Sequence, residues 1–547
     1  MKLNKVFLAA GMFAVALTSC TNLDVTPDSQ YTEDPSKNSG VDPMIMVEAK
    51  MADVYFHMSG TLGRRYMEAQ CLSSDEFTCL AFDGGYYDDG TYAHQALHDS
   101  KATDASLDWY SEVTSGITKA NTILEELGSS ASAQMTAPAR AMRAYFTWVL
   151  MDSFGDAPIL EKVPAEGEVV ARSPRKEVAE WIESELTEII PSLTEDVTDN
   201  TYGKPTKWMA EALLAKLYIN WAVYTAESVD QYDAATAANP KLDDCISVCD
   251  EIINSGKFNL GSVDYLHKFS YDNGSQIEDF IYAIPYDAIN LQGMQYGRPR
   301  SFKQLKNLMP NVYGSTDKFT QSTGGNMVVT PEFAKLFCLD GDIRNLSILR
   351  GDIYIRDPKT LKPTSEPFMY KEKQVHFTEN IEFKKDKDGN PIEDNTIDVG
   401  NDDAAIQKGC HSIKWFMIPS DYNNGRNQSN DVPIFRYADV LLMKAEALAR
   451  TGQSGAKDLF NQIRAYAGAP QITAEPTLAE IYDERGREFF DENWRRNDMI
   501  RFGHFEDEFF PHYKKYDFAN FDKRHRIFPV EQEMLDLNPG WEQNPGY

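Results

Sequence analysis

Tyrosines in a loop-type sequence are the first residues here whose type and spacing suggest binding chemistry. Residues 82–92 hold three tyrosines among glycines and aspartates, a composition that disfavours a helix or a regular strand. A tyrosine ring offers a flat apolar face and a hydroxyl group, and loops that carry such residues often carry function. We expect ligand contact here from Phe82, Asp83, Tyr86, Tyr87 and Tyr92. The alternative is a loop that folds on its own tyrosines.

A second aromatic group lies at residues 286–296, with Gln292, Gln295 and Arg298 beside it. Amide and guanidinium groups at the edge of an aromatic ring can hydrogen-bond a polar ligand and fix its orientation. The candidate contacts in this group are Tyr286, Tyr296 and Arg298. The tryptophans Trp109, Trp148 and Trp208 fall on predicted helix faces and are expected in the core instead.

A dense charged cluster near the C-terminus has the residue types of a catalytic site. Its members are Glu484, Arg485, Arg487, Glu488, Arg495, Arg496 and Asp498. Salt bridges between a C-terminal helix and its neighbour explain the same pattern, and we favour that structural interpretation.

Sequence signals for catalysis and for metal binding are missing. The chain has no H-E-x-x-H, G-x-S-x-G, P-loop or G-x-G-x-x-G motif. With 84 acidic residues, a pair of carboxylates at glycosidase spacing arises by chance. Cys245 and Cys249 lack neighbouring histidines and are expected as buried thiols. Residues 386–390 (DKDGN) place glycine wrongly for a calcium loop and predict a hairpin turn. We therefore predict no enzyme, no cofactor and no metal.

Composition narrows the class of partner. The 547 residues are 42% hydrophobic and 25% charged, which is typical of a globular protein. With 54 basic and 84 acidic residues the net charge is −30, which argues against nucleic-acid binding because phosphate contacts need clustered Lys and Arg.

The first twenty residues are typical of an export signal. Lys2 and Lys5 precede an apolar run of twelve, which is too short to span a bilayer. Residues 17–20 (LTSC) resemble the lipobox of bacterial lipoproteins, which implies removal of residues 1–19 and lipidation of Cys20. An ordinary signal peptide with an incidental cysteine is the alternative. Residues 20–43 would then form a lipidated tether and an N-terminal arm.

Helical periodicity dominates the remaining chain, residues 44–547, which we predict to be one domain. The predicted helices are 44–58, 105–128, 136–153, 175–190, 206–226, 241–255, 437–451, 455–467 and 477–493. They define a helical scaffold at 105–256 and 437–503. Two regions rich in Gly, Asn and Asp, residues 80–104 and 257–436, are predicted as loop-rich insertions with short strands.

Two of these helices are alike in sequence. Residues 210–216 (AEALLAK) and 438–444 (ADVLLMK) share four of seven positions, and each precedes a second helix. A small residue at the packing point and a paired helix are typical of tetratricopeptide-like units. Generic amphipathic helices are the alternative. The fold class is therefore predicted as mainly α, built on about four helix pairs.

Several segments, in this order, resemble one family, the SusD/RagB outer-membrane nutrient-binding lipoproteins. They are residues 143–158 (RAYFTWVLMDSFGDAP), 203–218 (GKPTKWMAEALLAKLY), 254–260 (NSGKFNL), 431–439 (DVPIFRYAD), 459–468 (LFNQIRAYAG), 484–503 (ERGREFFDENWRRNDMIRFG), 527–529 (IFP) and 544–547 (NPGY). The resemblance extends over nearly the whole chain after the export signal.

This resemblance implies a fold and a function. The fold would be a tetratricopeptide-like scaffold whose insertions carry the ligand face. The function would be capture of an oligo- or polysaccharide at the cell surface, without catalysis, and its delivery to a SusC-like TonB-dependent transporter in the outer membrane. Sugar rings have apolar C–H faces that stack on aromatic rings. A RagB-type peptide-binding protein is the alternative, and a surface glycoside hydrolase is a weaker one.

The family also implies a third candidate region, residues 313–326. Tyr313 and Asn326 are its candidate contacts. Members of the family commonly place an aromatic residue just before a helix such as the one predicted at 331–333. Here residues 324–326 read GGN, so the sequence departs from the family pattern at that point.

Overall fold

The computed structural model describes residues 43–85, 91–296, 312–321, 327–392, 397–509 and 521–547. A boundary after Lys50 divides the chain into two units, Met1–Lys50 and Met51–Tyr547. Helix Pro43–Tyr55 crosses that boundary. All features discussed below lie in the second unit.

Amphipathic periodicity in the sequence corresponds to long helices that form the scaffold. They are α1 (Trp109–Leu127), α2 (Ala133–Phe154), α3 (Arg175–Ile189), α4 (Lys207–Ile219), α5 (Leu242–Asn254), α6 (Tyr437–Thr451), α7 (Ala456–Ala467), α8 (Leu478–Glu488) and α9 (Arg495–Phe502). Shorter helices lie at Ser59–Thr61, Met67–Leu72, Thr91–Ala96, Trp221–Tyr224, Pro331–Ala334, Pro419–Asn423 and Gln532–Leu537. The mainly α prediction is confirmed.

Consecutive scaffold helices pack against one another along the chain. Contacts run from α1 to α2, α2 to α3, α3 to α4, α4 to α5, α5 to α6 and α6 to α7. Trp109, Trp148 and Trp208 are buried within this scaffold, as predicted. The two similar segments lie in α4 and α6, which contact each other, and Lys216 Nζ of α4 lies 2.5 Å from Asp439 Oδ2 of α6.

Local sequence signals fix several helix ends. The Thr206 hydroxyl caps α4 by accepting from Met209 N, and Thr477 and Glu480 form a capping box at α8. Gly452 ends α6 in the left-handed region, with φ of 69°, where glycine avoids the steric cost of a side chain.

The helices predicted at 206–226 and 477–493 end earlier than expected. The helix predicted at 206–226 breaks at Asn220, whose side-chain amide donates to Lys216 O and so competes with the helical bonding. The helix predicted at 477–493 ends at Glu488, because Asp491 and Asn493 have positive φ angles of 64° and 77°.

Short antiparallel strand pairs occupy the insertions. In the described part of the chain they are Phe77–Cys79 with Met327–Val329, Phe280–Ile284 with Val432–Arg436, Ile348–Leu349 with His411–Ser412, Gly351–Asp352 with His376–Phe377, Tyr354–Arg356 with Pro363–Pro367, and Met369–Tyr370 with Lys373–Gln374. The hairpin turn predicted at 386–390 is also present. Asp386 N donates to Asn390 O, and the Asp386 carboxylate accepts from two backbone N–H groups.

Cys71, Cys245, Cys249, Cys338 and Cys410 are thiols that form no disulfide. Cys245 and Cys249 are buried in α5, as predicted, and Cys71, Cys79 and Cys410 are buried too. Cys338 is exposed. Cys20 lies outside the described residues.

Candidate functional site

The first candidate loop begins in a turn that one buried carboxylate holds. Asp398 accepts from Asp83 N at 3.0 Å and from Gly84 N at 2.5 Å, and Lys384 Nζ lies 2.5 Å away. Burial alone would raise the pKa of Asp398, but Lys384 and the N–H groups of Gly400 and Gly84 lower it below its usual value. The carboxylate therefore stays ionised at neutral pH and fixes the loop's start.

This turn leaves some of its residues facing solvent. Asp83 is exposed, whereas the Phe82 ring is buried at 8% exposure. Asp83 adopts a φ of 54°, a region that aspartate enters more readily than most residues, and Gly84 follows at 78°. Tyr86 and Tyr87 lie outside the described residues.

Tyr92, at the far end of the same loop, is held by two arginines. Arg64 Nη2 and Arg65 Nη1 donate to its hydroxyl at 2.9 and 3.2 Å, and the Tyr92 side chain is buried. Both arginines belong to a π-helical turn, Leu62–Tyr66, a feature often found at functional sites.

The second candidate loop contacts the same π-helical turn. Gln295 N donates to Gly63 O at 2.9 Å, and Tyr286 donates to Ser59 O at 2.7 Å. A Cβ at Gly63 would lie 2.6 Å from Gly293 O, so only glycine permits this approach. The turn thus brings the ends of both candidate loops together.

Four of the tyrosines predicted as ligand contacts are buried, and they support the loops from inside the protein. Tyr286, Tyr296 and Tyr313 are 5%, 0% and 8% exposed, and Tyr92 is 2% exposed. Tyr296 donates to Asp491, and Tyr313 packs edge-on against Phe416. In this structure their side chains are buried and support the loops, and ligand contact from these four residues stays a prediction. Arg298 and Asn326 lie outside the described residues.

A loop-base cluster, defined as Asp431, Tyr202, Tyr286 and Asn273, lies beneath the second loop. Asp431 accepts from Tyr286 N and from the Tyr202 hydroxyl, both at 2.7 Å. Asn273 bonds the backbone N–H and carbonyl of Asp431. No cation pairs with this carboxylate among the described residues, and burial raises its pKa to about 7.

Two aromatic side chains that sequence reasoning missed are exposed in the 257–436 insertion. Within the described ranges, Tyr271 and Tyr354 are the aromatic residues with more than a third of their surface accessible, at 37% each. The sequence SYDNG at 270–274 has the loop composition that could have identified Tyr271. Tyr354 lines a cavity of about 270 Å³ together with Asn345, Arg350, Asp352 and Arg356.

The charged cluster near the C-terminus is structural, as predicted. Arg485 of α8 bonds Asp498 of α9 and Asp439 of α6, each at 2.8 Å. Arg344 and Arg436 both bond Glu488. We call these buried ion pairs, together with Lys216–Asp439 and Arg501–Asp498, the scaffold network. Every member named here is at most 2% exposed, so the cluster is inaccessible to a substrate.

The described residues lack two further features. They contain no group of His, Cys, Asp and Glu side chains that could hold a metal ion. None of their helices combines the length and the apolar character that crossing a bilayer requires.

Comparison with known protein families shows which families the chain matches. Residues 278–547 match the family described as "SusD family", and residues 22–219 match one described as "Starch-binding associating with outer membrane". The chain belongs to the SusD family. The starch-binding protein SusD of Bacteroides thetaiotaomicron is 23% identical to this SusD-family chain over 467 residues, which cover 80% of the chain and 76% of that protein.

Solved structures share the SusD fold. A laminarin-binding SusD-like protein superposes with a TM-score of 0.66 at 21% identity, covering 92% of this chain and 99% of its own. Surface glycan-binding protein A from Bacteroides uniformis gives a TM-score of 0.66 at 17% identity, with 91% and 99% covered. The corresponding Bacteroides thetaiotaomicron protein, solved with laminarihexaose, gives 0.63 at 17%, with 91% and 99% covered.

Proposed function

We propose that this SusD-family protein is a non-catalytic glycan-binding lipoprotein at the surface of the outer membrane. The observation that carries the proposal is the match to SusD-family descriptions over both 22–219 and 278–547, one of which names starch binding. Relatives named for binding starch and laminarin support a carbohydrate as the ligand class. Cys20 would carry the lipid, and a SusC-like TonB-dependent transporter would receive the glycan.

The ligand face in this proposal is the convergence of the two candidate loops on the Leu62–Tyr66 turn. Asp398 and the Arg64–Tyr92 and Arg65–Tyr92 bonds fix both ends of the first loop. Fixed loop ends lower the entropy that must be lost when a ligand binds. Asp83, Tyr86 and Tyr87 are the proposed contacts, with the buried tyrosines as support.

Affinity electrophoresis of the full-length protein against neutral and acidic polysaccharides and an oligopeptide mixture tests the ligand class. We expect retardation by at least one polysaccharide, with no new reducing ends after prolonged incubation. Retention of peptides without any glycan would overturn the proposal in favour of a peptide-binding protein. Release of reducing ends would contradict the non-catalytic role.

Replacing Tyr86 and Tyr87 together by alanine tests the proposed contacts. Loss of a stacked ring typically costs 0.5–1.5 kcal/mol beyond the buried area, so we expect roughly tenfold weaker glycan binding. The Tyr86→Phe/Tyr87→Phe double variant is the matched control, because it keeps both rings and should retain most of the affinity. Unchanged binding by the alanine variant would exclude this loop as the contact surface.

The anchor and the transporter need separate measurements. Replacing Cys20 by serine should abolish incorporation of labelled palmitate and release the protein from the membrane fraction. Affinity purification of the lipidated wild type should recover a TonB-dependent transporter. A wild-type protein that is not acylated, or that purifies without any such transporter, would contradict the corresponding part of the proposal.

A further inference from the structure

The cavity beside Tyr354 is bordered by an arginine that has no anionic partner among the described residues. Tyr354 and Arg356 lie two residues apart on one strand, and both line the cavity. Tyr354 is 37% exposed, whereas Arg356 is only 4% exposed.

Arg356 is held by neutral groups. Its Nη1 donates to Leu361 O at 2.9 Å and its Nη2 to Leu346 O at 2.7 Å, and the guanidinium lies 5.7 Å from the Phe416 ring centroid. Its Nε is buried without a hydrogen-bond partner, and no ion pair joins Arg356 to a described carboxylate. A guanidinium has five N–H donors, so much of its bonding capacity is unused.

Leu346 lies beside Arg356 on the wall of the cavity. Its backbone carbonyl accepts from Arg356 Nη2, and both residues line the cavity. Asn345 Oδ1, on the same wall, is a buried acceptor without a partner. The residues that line the cavity thus include a partly exposed ring, a cation with no described carboxylate beside it and a buried acceptor without a partner.

The other charged side chains that line the cavity have hydrogen-bond or ion-pair partners. Arg350 donates to Phe337 O and lies 3.7 Å from Glu379, and Asp352 lies 2.6 Å from His376 Nδ1. Burial lowers the pKa of Arg356 to about 10, which still leaves it cationic at neutral pH. A buried cation without a counter-ion is costly, and an entering anion would relieve that cost.

We propose that this cavity binds one sugar residue that carries an anionic group, with its C–H face on Tyr354 and its carboxylate or sulfate against Arg356. The inference rests on the proposed glycan-binding function and names the class of glycan. At about 270 Å³ the cavity is smaller than typical drug-sized pockets, which suits a single ring. The chain's net charge of −30 repels an anionic sugar only weakly at this cavity, because salt screens exposed charges beyond about 8 Å.

Calorimetric titration of the full-length protein in detergent tests the inference with matched probes. The probes are trigalacturonate, its carboxyl-reduced neutral counterpart, and the same neutral trimer carrying a sulfate. We expect an anionic trimer to bind on the order of tenfold to a hundredfold more tightly than the neutral one, as charge-assisted hydrogen bonds imply. Preference for both anionic trimers, or for one of them, supports the proposal.

Two pairs of variants test whether Arg356 and Tyr354 cause the preference for anionic trimers. Arg356→Gln should remove the discrimination between charged and neutral trimers, and Arg356→Lys should keep part of it. Tyr354→Ala should weaken all trimers, whereas Tyr354→Phe should not. Tyr354 is partly exposed, so its variants remain informative even if Arg356→Gln fails to fold, which thermal unfolding would show.

Different results would contradict the anionic-sugar inference and the proposed glycan-binding function. Equal affinity for charged and neutral trimers, or a preference that persists in folded Arg356→Gln, overturns this inference while glycan binding stands. No binding of any trimer or polysaccharide contradicts the proposed function itself.

Discussion

The scaffold network pairs its buried carboxylates with arginines, whereas the loop-base cluster holds Asp431 with neutral groups alone. In the network, Asp498 bonds Arg485 and Arg501, and its pKa falls to about 2 although burial alone would raise it. In the cluster, burial of Asp431 raises the pKa to about 7. The same residue type therefore keeps its charge at neutral pH in one region and is poised to lose it in the other.

This difference indicates which of the two regions depends on charged side chains for its stability. Breaking a buried ion pair leaves an uncompensated charge, which costs far more than the pair contributes. A carboxylate held by a hydroxyl and a backbone N–H can take up a proton instead. The scaffold should therefore be intolerant of single charge deletions, while the loop base should respond to pH.

The largest expected effect is from Asp439→Ala. This change leaves Lys216 and part of the bonding of Arg485 without a partner in the core, so we expect a loss of about 3–5 kcal/mol in the free energy of unfolding. Urea denaturation followed by circular dichroism measures it.

An exposed ion pair provides the control for that measurement. Lys371 and Asp403 lie 2.7 Å apart with about half of each side chain in solvent, and Lys371→Ala should leave the denaturation midpoint unchanged. Equal effects of Asp439→Ala and Lys371→Ala would contradict the distinction drawn here.

The next largest effect is expected in the loop at residues 83–84 that Asp398 holds. Asp398→Ala removes an acceptor for three backbone N–H groups, those of Asp83, Gly84 and Gly400, and also removes the carboxylate that bonds Lys384 Nζ. We expect a cost of about 1–3 kcal/mol, concentrated in this loop.

Hydrogen exchange of residues 81–85 should show the loosening from Asp398→Ala directly. Asp388→Ala, in the exposed hairpin turn, is the control and should not alter exchange there. Unchanged protection at Asp83 and Gly84 in the Asp398 variant would show that Asp398 does not hold the loop.

The smallest effect is a pH dependence carried by Asp431. Its folded pKa of about 7 lies above the ordinary value of 3.8, so between these two pH values the folded state binds more protons than the unfolded state. Its contribution to stability is therefore present below about pH 4 and is lost as the pH rises toward 7. We expect a loss of about 1–2 kcal/mol, after allowance for relaxation around a buried group.

Comparing wild type with Asp431→Asn isolates that contribution. The amide cannot ionise, so the difference in unfolding free energy between the two proteins should change between pH 4 and 7 and be constant below pH 4. A constant difference across the whole range would show that Asp431 stays charged in the folded protein.

Sequence periodicity was sufficient to predict the helices of the scaffold. Helices α5, α6 and α7 agree with the prediction within one residue at each end, because apolar spacing and terminal glycines are local signals. The partners of the scaffold network were not predictable. Arg344 and Glu488 are 144 residues apart in the chain, and only the fold brings them together.

The candidate site was less predictable, because loop sequences carry no periodicity that distinguishes a buried ring from an exposed one. Tyr286 and Tyr296 have the composition of a ligand loop, but each hydroxyl finds a partner inside the protein, Ser59 O and Asp491 respectively. Tyr354 was missed for the converse reason, since its neighbours Ile353 and Ile355 suggest a buried strand.

The exposed thiol of Cys338 gives the molecule a natural attachment point for a fluorophore. Phe337, its chain neighbour, accepts a hydrogen bond from Arg350, which lines the Tyr354 cavity. A maleimide dye placed there would report, through changes in its emission, whether sugar occupies that cavity on living cells. The remaining described cysteines are buried, so the label can be introduced without engineering the chain.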